Sequence, residues 1–303
     1  MIPRVQIRAA VAGDATRIAA LRAAAVPYLV GTAAGMRARL TDIETSGRWL
    51  ASVDGIPAGY ALSRTPNHGA ARVTLVVHPD LVRRGIGSAL LRVAEAKVRA
   101  DGGSRVNAVA DGAAGRDFAT TAGYEVGREH RFSFVDLAAT PEPPEPPAGI
   151  ELRTLAATDP RAIWALHELV APDDPSGLSV SQPYEIWYAE DWAFPDHAAD
   201  LGVAALEGGR PIAFTHVFAD RDRGAIWSAM TGVHPRHRGR GLARLVKAHA
   251  LRTAREAAIT RGYTATDAAN APMLAVNAWL GYHPAAHAWS VHLALDRRGG
   301  LRH

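Results

Sequence analysis

The tripeptide Val77-His78-Pro79 recurs 156 positions later as Val233-His234-Pro235, and in both places a loop rich in arginine and glycine follows. The first loop is Arg83-Arg84-Gly85-Ile86-Gly87-Ser88. The second is Arg238-Gly239-Arg240-Gly241-Leu242-Ala243, with Gly85 and Gly241 at the same offset. Other landmarks repeat in the same order: Ile7-Arg8 with Asp14 matches Leu152-Arg153 with Asp159, and Pro57-Ala58-Gly59-Tyr60 matches Pro211-Ile212-Ala213-Phe214. Ala122-Gly123-Tyr124 matches Leu280-Gly281-Tyr282. A period this long exceeds the roughly 20–50 residues of a solenoid unit, so the chain carries a duplicated domain. Between the copies the sequence is dense in proline (Pro141, Pro143, Pro144, Pro146, Pro147), which favours an extended, semi-rigid spacer. The expected organisation is one domain over 1–139, a linker over 140–149 and a second domain over 150–303. Each half is long enough to bury its own core, and on this reading no residue need cross over for either to fold.

The two halves predict the same succession of elements. A first strand (Val5 to Arg8; Ile150 to Arg153) leads into alanine-rich helix (Ala15 to Ala25; Pro160 to Val170). Three antiparallel strands follow: Trp49 to Val53, Ala58 to Ser63 and Arg72 to Val77, then Gly202 to Glu207, Pro211 to Phe218 and Ala225 to Val233. After each loop come a long helix (Ser88 to Ala100; Leu242 to Ile259), a strand, a helix and a last strand (Arg131 to Leu137; Trp289 to Leu295). The expected class is α/β, with each half a mixed, mostly antiparallel sheet flanked by helices.

A loop that turns from a strand into a helix through glycines lets consecutive N–H groups converge on one spot, where the helix dipole also favours negative charge. Arg238 and Arg240 add forked donors suited to phosphate oxygens. The Lys-Ser/Thr pair of a Walker loop is missing, as is the G-x-G-x-x-G spacing of a dinucleotide fingerprint. Residues 225 to 245, with Arg-x-x-Gly-x-Ala after a Val-x-Pro strand end, resemble the motif by which GNAT N-acetyltransferases hold the pyrophosphate of coenzyme A. The element order of both halves resembles the GNAT fold, and the layout is similar to that of actinobacterial two-domain GNAT proteins, the mycothiol synthases among them. The resemblance implies acetyl-CoA as co-substrate and contacts from Thr231, Val233, Arg238, Gly239, Arg240, Gly241, Leu242 and Ala243. It also implies that the strand before the loop splays from its neighbour, leaving the N–H groups around Thr231 to Val233 for the pantetheine and the thioester.

The copies are not equivalent. Asp267 to Tyr282 resembles the family's second cofactor motif, N-x-x-A-x-x-x-Y-x-x-x-G-F, with Asn270 as the matching asparagine. Asn277 stands where many members keep a tyrosine as general acid, and asparagine cannot release and recover a proton near neutral pH. Asn277 is then a hydrogen-bond donor to the thioester arm, or a helix-packing residue. In the first half Val82 replaces Arg238 and Ala119 takes the acid position. Val77, Arg83, Arg84, Gly85, Gly87 and Ser88 form a second possible cofactor site, which this reading treats as vestigial.

Acetyl transfer to an amine needs a base, donors for the developing oxyanion and a proton for the departing thiolate. Period-two alternation puts Trp227, Ala229 and Thr231 on one face of their strand. A hairpin around residues 219–224 places His216 opposite about Ala229 on that face, with a pKa suited to a base. The alternative for His216 is a histidine satisfied within the sheet. The segment Ala171 to Phe194 interleaves carboxylates with Trp187, Trp192 and Phe194, which suits a cationic, partly apolar amine. Asp174, Glu185 and Tyr188 are its substrate-binding candidates, and Glu185 is an alternative base through a water.

The 303-residue chain has no cysteine, which excludes disulfides and thiolate catalysis. No apolar run approaches the roughly 20 residues of a membrane span, and no secretory h-region follows Met1, so a cytoplasmic protein is expected. The net charge is only +4, and a polyanionic cofactor explains the basic loops without nucleic acid. His234 and His237 lack the carboxylates of a metal site, so no metal is expected. The expected protein is an acetyl-CoA-dependent N-acetyltransferase, monomer or homodimer, whose second domain catalyses direct attack by a small-molecule amine. The rival readings are a non-catalytic acyl-CoA sensor and catalysis by the first domain.

Overall fold

The structure, a computed structural model, describes residues 5–42, 46–64, 69–174 and 181–295. They form two compact units, the described residues of the first lying within 5–27, 32–129 and 288–295 and those of the second within 28–31 and 130–287. In chain order the strands are β1 (Val5–Ala9), β2 (Ser46–Val53), β3 (Ile56–Arg64), β4 (Ala70–Val77), β5 (Arg105–Asp111) and β6 (Glu125–Asp136). Next come β7 (Ile150–Thr154), β8 (Val203–Glu207), β9 (Arg210–Asp220), β10 (Ala225–Val233), β11 (Arg261–Asp267) and β12 (His283–Ala294). The helices are α1 (Ala15–Ala25), α2 (Ala33–Thr41), α3 (Ile86–Ala100), α4 (Gly112–Thr121), α5 (Pro160–Val170), α6 (Tyr184–Trp187), α7 (Leu242–Glu256) and α8 (Ala271–Trp279).

The first unit has the sheet order β1-β2-β3-β4-β5, completed by residues 288–294 of β12 antiparallel to β5. Only β4 and β5 run parallel. Helix α3 buries Ile86, Leu90, Ala94 and Val98, one stripe at helical spacing, against Val73, Val106 and Val291. In the second unit, residues 130–136 of β6 pair antiparallel with β11, and the order continues through β10, β9 and β8 to β7. Helix α7 covers one face, burying Leu242, Leu245, Val246 and Leu251 against Ala213, Val217 and Ile226. Helix α5, capped by Asp159 and opened by Pro160, covers the other with Ile163, Leu166 and Val170 beside Phe214 and Trp187.

Both halves thus have the mixed, mostly antiparallel sheet expected, but neither supplies its own last strand. The strand that ends the first half belongs to the second unit, and the strand that ends the chain belongs to the first. This corrects the expectation that no residue crosses over. β6 and β12 hold the same place in each repeat, and nothing in either one's pattern names its partner.

The proline-rich segment also differs in role. It lies within the second unit and leads from β6, beside β11, to β7 at the far edge of that sheet. Five strand spacings amount to about 24 Å, and ten residues of polyproline geometry reach about 31 Å. On the way it lies against α7: the His249 Nε2 donates to the Pro144 carbonyl at 3.0 Å, and Arg255 pairs with Glu142 at 2.8 Å. Proline makes the segment extended, as composition indicates, and the extension serves as a strap across one sheet.

Helix α7 also buries Lys247, 1% exposed and joined to no carboxylate among the described residues, its Nζ 5.5 Å from the centre of the Tyr282 ring. Burial pushes its pKa down to about 7. The unfolded chain holds that proton up to about 10.5, so the burial cost is full below pH 7 and fades as pH rises to 10.5. Lys247→Met is expected to raise stability by about 2–4 kcal/mol at pH 7, with the gain shrinking toward pH 10. Denaturant midpoints at both pH values check this, and a loss of stability on substitution would show that the ammonium has a partner in solution.

Candidate active site

Strands β10 and β11 pair in parallel only from Ala225↔Arg261 to Trp227↔Tyr263, although β10 continues to Val233 and β11 to Asp267. Beyond Trp227 they fork. Thr264 Oγ1 donates to the Ser228 carbonyl at 2.9 Å just past the last pair. On the other edge of β10 the His234 N–H donates to the Ile212 carbonyl at 2.8 Å. Alternation then turns the N–H groups of Val233 and Thr231 toward the open fork.

Between Ser228 and Thr231 the register of β10 against β9 shifts, with Ser228 opposite Val217 and Thr231 opposite Thr215. Ala229 and Met230 together face the single residue His216, which is a β-bulge. The extra residue resets the alternation. Thr231 hydrogen-bonds Thr215 at 2.8 Å and shares the face of Val217 that packs on α7, whereas Trp227 and Ala229 lie on the α5 face. The expectation that Thr231 shares their face is therefore wrong, because strict period two holds only in an unbulged strand. His216 does sit across from Ala229, as expected.

The loop after β10 makes a single turn at Pro235–His237, and α7 starts at Leu242. Gly239 and Gly241 have φ of +77° and +76°, left-handed values that glycine adopts without strain. A Cβ at either would meet open space, so the requirement is the backbone conformation itself. Arg238 reaches back to the Val233 carbonyl through Nε at 3.2 Å and pairs with Asp173 at 2.6 Å. Arg240 pairs with Glu207 at 3.0 Å. Both pairs are solvent-exposed and cost little to exchange for a phosphate. Leu242 is buried and Ala243 half-buried in the first turn of α7.

The first unit keeps the same loop backbone: Arg83 has φ +63° and Gly85, the cap of α3, φ +78°. It also forks, since β4 and β5 pair only over Ala70–Arg72 and Arg105–Asn107. Gly87 and Ser88 lie in the first turn of α3, and Arg83 and Arg84 are exposed. The register between β3 and β4 runs without a shift, so the bulge is absent.

On the α5 face of the second unit a chain of polar atoms runs through aromatic rings. The His197 Nδ1 lies 2.8 Å from the Trp192 carbonyl, which can only accept. Burial lowers the pKa of His197, so the ring is neutral and its Nε2 is an acceptor. The His216 Nδ1, 3.0 Å away, is then the donor. The remaining nitrogen, His216 Nε2, bears a lone pair, is buried, and has no hydrogen-bond partner. Burial first, then His197 and His167, holds the pKa of His216 well below the ordinary histidine value. Trp187, Trp192 and Phe214 enclose the ring edge-on at 5.8, 5.9 and 5.2 Å.

A cavity of about 40 Å³ meets His216 here, lined also by His167, Trp187, Asp191, Phe218, Ala229 and Met230. Helix α6 passes into a π-turn over Tyr188–Trp192, closed by the Ala193 N–H donating to the Tyr188 carbonyl at 2.6 Å. The wider turn brings Trp187 and Asp191 to the cavity side, a use often made of π-turns at functional sites. Glu185 and Tyr188 are exposed and do not line the cavity, and neither does half-buried Asp174. Asp191 is one of the carboxylates of the 171–194 segment that the sequence did not single out, and His197 was missed as a candidate. His197 reaches the site because residues 196–198 run beside the end of β9, Ala198 N–H donating to Val217 and Ala219 N–H to Asp196, both at 2.8 Å.

Asn270 caps α8, accepting from the Met273 N–H at 3.2 Å. Asn277 is buried and donates to Thr266 Oγ1 at 2.9 Å, while its Oδ1 has no partner. Among the described residues no cluster of His, Asp and Glu is placed to hold a metal, and no helix is long and apolar enough to cross a membrane.

The sequence model of the acetyltransferase (GNAT) family matches residues 19–124 and 163–282. Mycothiol acetyltransferase of Nocardia farcinica is 32% identical over 244 residues, 78% of this chain and 79% of that protein. A solved GCN5-related N-acetyltransferase from Sphaerobacter thermophilus superposes with a TM-score of 0.73 at 20% identity, covering 97% of each chain. A tandem GNAT protein from the clavulanic acid biosynthesis pathway gives a TM-score of 0.75 at 22% identity, over 96% of this chain and 98% of that one.

Proposed function

The chain belongs to the GNAT acetyltransferase family and is an N-acetyltransferase, and we propose that its second unit transfers the acetyl group of acetyl-CoA directly to a small-molecule primary amine. The observation that carries this reading is the buried lone pair of His216 Nε2, set beside a bulge at the mouth of a strand fork. Family members use acetyl-CoA as co-substrate, and the residues present fit it. Arg238, Arg240 and the left-handed turns at Gly239 and Gly241 suit a pyrophosphate, and the fork leaves the Thr231 and Val233 N–H groups free for an extended arm. When bound, acetyl-CoA supplies the activated acyl group. His216 takes a proton from the amine, and the walls of Trp187 and Phe214 exclude water from that exchange. Asn277 serves as a positioning group for the arm, and its orphaned Oδ1 is an acceptor in waiting. The first unit, without bulge or base, is the degenerate copy.

Calorimetric titration with acetyl-CoA tests the assignment of units. Arg238→Glu is expected to weaken binding about 10–100-fold, whereas Arg84→Glu leaves it within about twofold. An unchanged affinity in Arg238→Glu would remove the second loop from the site. Release of coenzyme A thiol reports turnover cleanly, since the protein has no thiol of its own.

A further inference from the structure

Resting on the transferase reading above, we infer that the acceptor is an arylalkylamine, a primary amine on a short methylene arm with an aromatic body and no acid group beside the nitrogen. The cavity at His216 measures about 40 Å³. At about 10–15 Å³ per water-sized position that is room for about three heavy atoms, a nitrogen and two carbons. The rest of the molecule must stay at the mouth.

The mouth is aromatic. Phe218 lines the cavity and is half-buried, and the β9–β10 register sets Trp227 directly across from it on the same face. Phe194 packs 6.3 Å from Phe218, and Phe132 packs 5.9 Å from Trp227. A ring resting there gains aromatic contact on both strands.

Charge excludes the other common amines. Asp191, which accepts from the Gln182 Nε2 at 3.2 Å, is the acidic residue on the cavity wall, and among the described lining residues there is no lysine or arginine. Buried His167 and His216 and half-buried His197 are held neutral by desolvation. An incoming ammonium is drawn by Asp191 and by the face of Trp187. A carboxylate on the amino carbon would be placed against Asp191 without any cation to receive it. A polyhydroxylated amine would bring hydroxyls to a wall of Phe218, Ala229, Met230 and Trp187 that offers them no partner.

The test uses the full chain with acetyl-CoA, read by thiol release, and four probes: 2-phenylethylamine, ethylamine, phenylalanine and glucosamine. The kcat/KM for 2-phenylethylamine is expected to exceed that for phenylalanine or glucosamine at least about 100-fold. Phe218→Leu, which keeps bulk but loses the ring, should lower the ratio of kcat/KM for 2-phenylethylamine to that for ethylamine about tenfold. Equal or faster transfer to phenylalanine or glucosamine overturns the acceptor class and leaves the transferase reading standing, as does a Phe218→Leu enzyme with unchanged selectivity. Tight acetyl-CoA binding with transfer to none of the four overturns both.

Discussion

His216→Ala is expected to lower kcat about 10²- to 10⁴-fold, the usual worth of a positioned general base, with the acetyl-CoA dissociation constant changed less than about twofold. The reason is geometric. One nitrogen of His216 is committed to His197 at 3.0 Å, and only Nε2 is left to receive a proton. His197→Phe removes that anchor and is expected to cost about tenfold in kcat, while His197→Gln, whose amide oxygen accepts from Nδ1, recovers most of it. Nitrogen NMR of the imidazoles gives a readout independent of turnover. The wild-type protein should show the Nδ1–H form of His216, and His197→Phe a mixture.

The pH behaviour follows from the same burial. The pKa of His216 lies well below 6.5, so the base stays deprotonated as pH falls through 6.5 and kcat shows no inflection there. Stability behaves differently. The unfolded chain protonates His167, His197 and His216 near 6.5, and the folded sheet resists it, so below 6.5 the unfolded state binds more protons. Stability is therefore fully present above 6.5 and declines as pH falls toward the lowered values. A kcat profile that titrates at 6.5 would show that His216 is solvated or is not the base.

The second large effect concerns division of the chain. Neither 1–139 nor 150–303 expressed alone is expected to unfold cooperatively. Residues 1–139 lack the strand that pairs with β5 from Ala288↔Asp111 to Ala294↔Arg105 and so lose the buried Val291 and Leu295 from their core. Residues 150–303 lose the strand along β11, with Val135 and Leu137, which are 1% and 0% exposed. Each such side chain contributes about 1.5–3 kcal/mol, against a total stability of about 5–15 kcal/mol. The bared edges of β5 and β11 also invite aggregation. Co-expression of 1–139 with 150–303 should restore both units, since all the strands are then present. Sharp thermal transitions in the isolated halves would show that the exchange is dispensable.

Much of this architecture is legible in the sequence because the signals are local. The Val-x-Pro strand end, the glycines that must turn left-handed, and the apolar stripes of α3 and α7 each declare themselves within a few residues. His216 was within reach for the same reason, since a hairpin around 219–224 fixes what lies across from it. The bulge was not, because one inserted residue changes the face of Thr231 without leaving any mark in composition. Asp191 depends on a π-turn and His197 on a short run hydrogen-bonded beside β9, and neither leaves a local pattern in the sequence. Glu185 looks as acidic and as close to aromatics in sequence as Asp191 does, yet a helical turn points it outward.

The exchanged strands also reverse the usual order of completion during synthesis. A repeat protein ordinarily finishes its N-terminal domain while the rest is still being made. Here the second unit has all its residues once His287 is available, whereas the first waits for 288–295, although most of it was made earliest. For most of the time spent on the ribosome the first repeat must therefore carry β5 as an open edge. A nascent chain stalled before Ala288 should hold a complete second unit while the first still lacks its last strand.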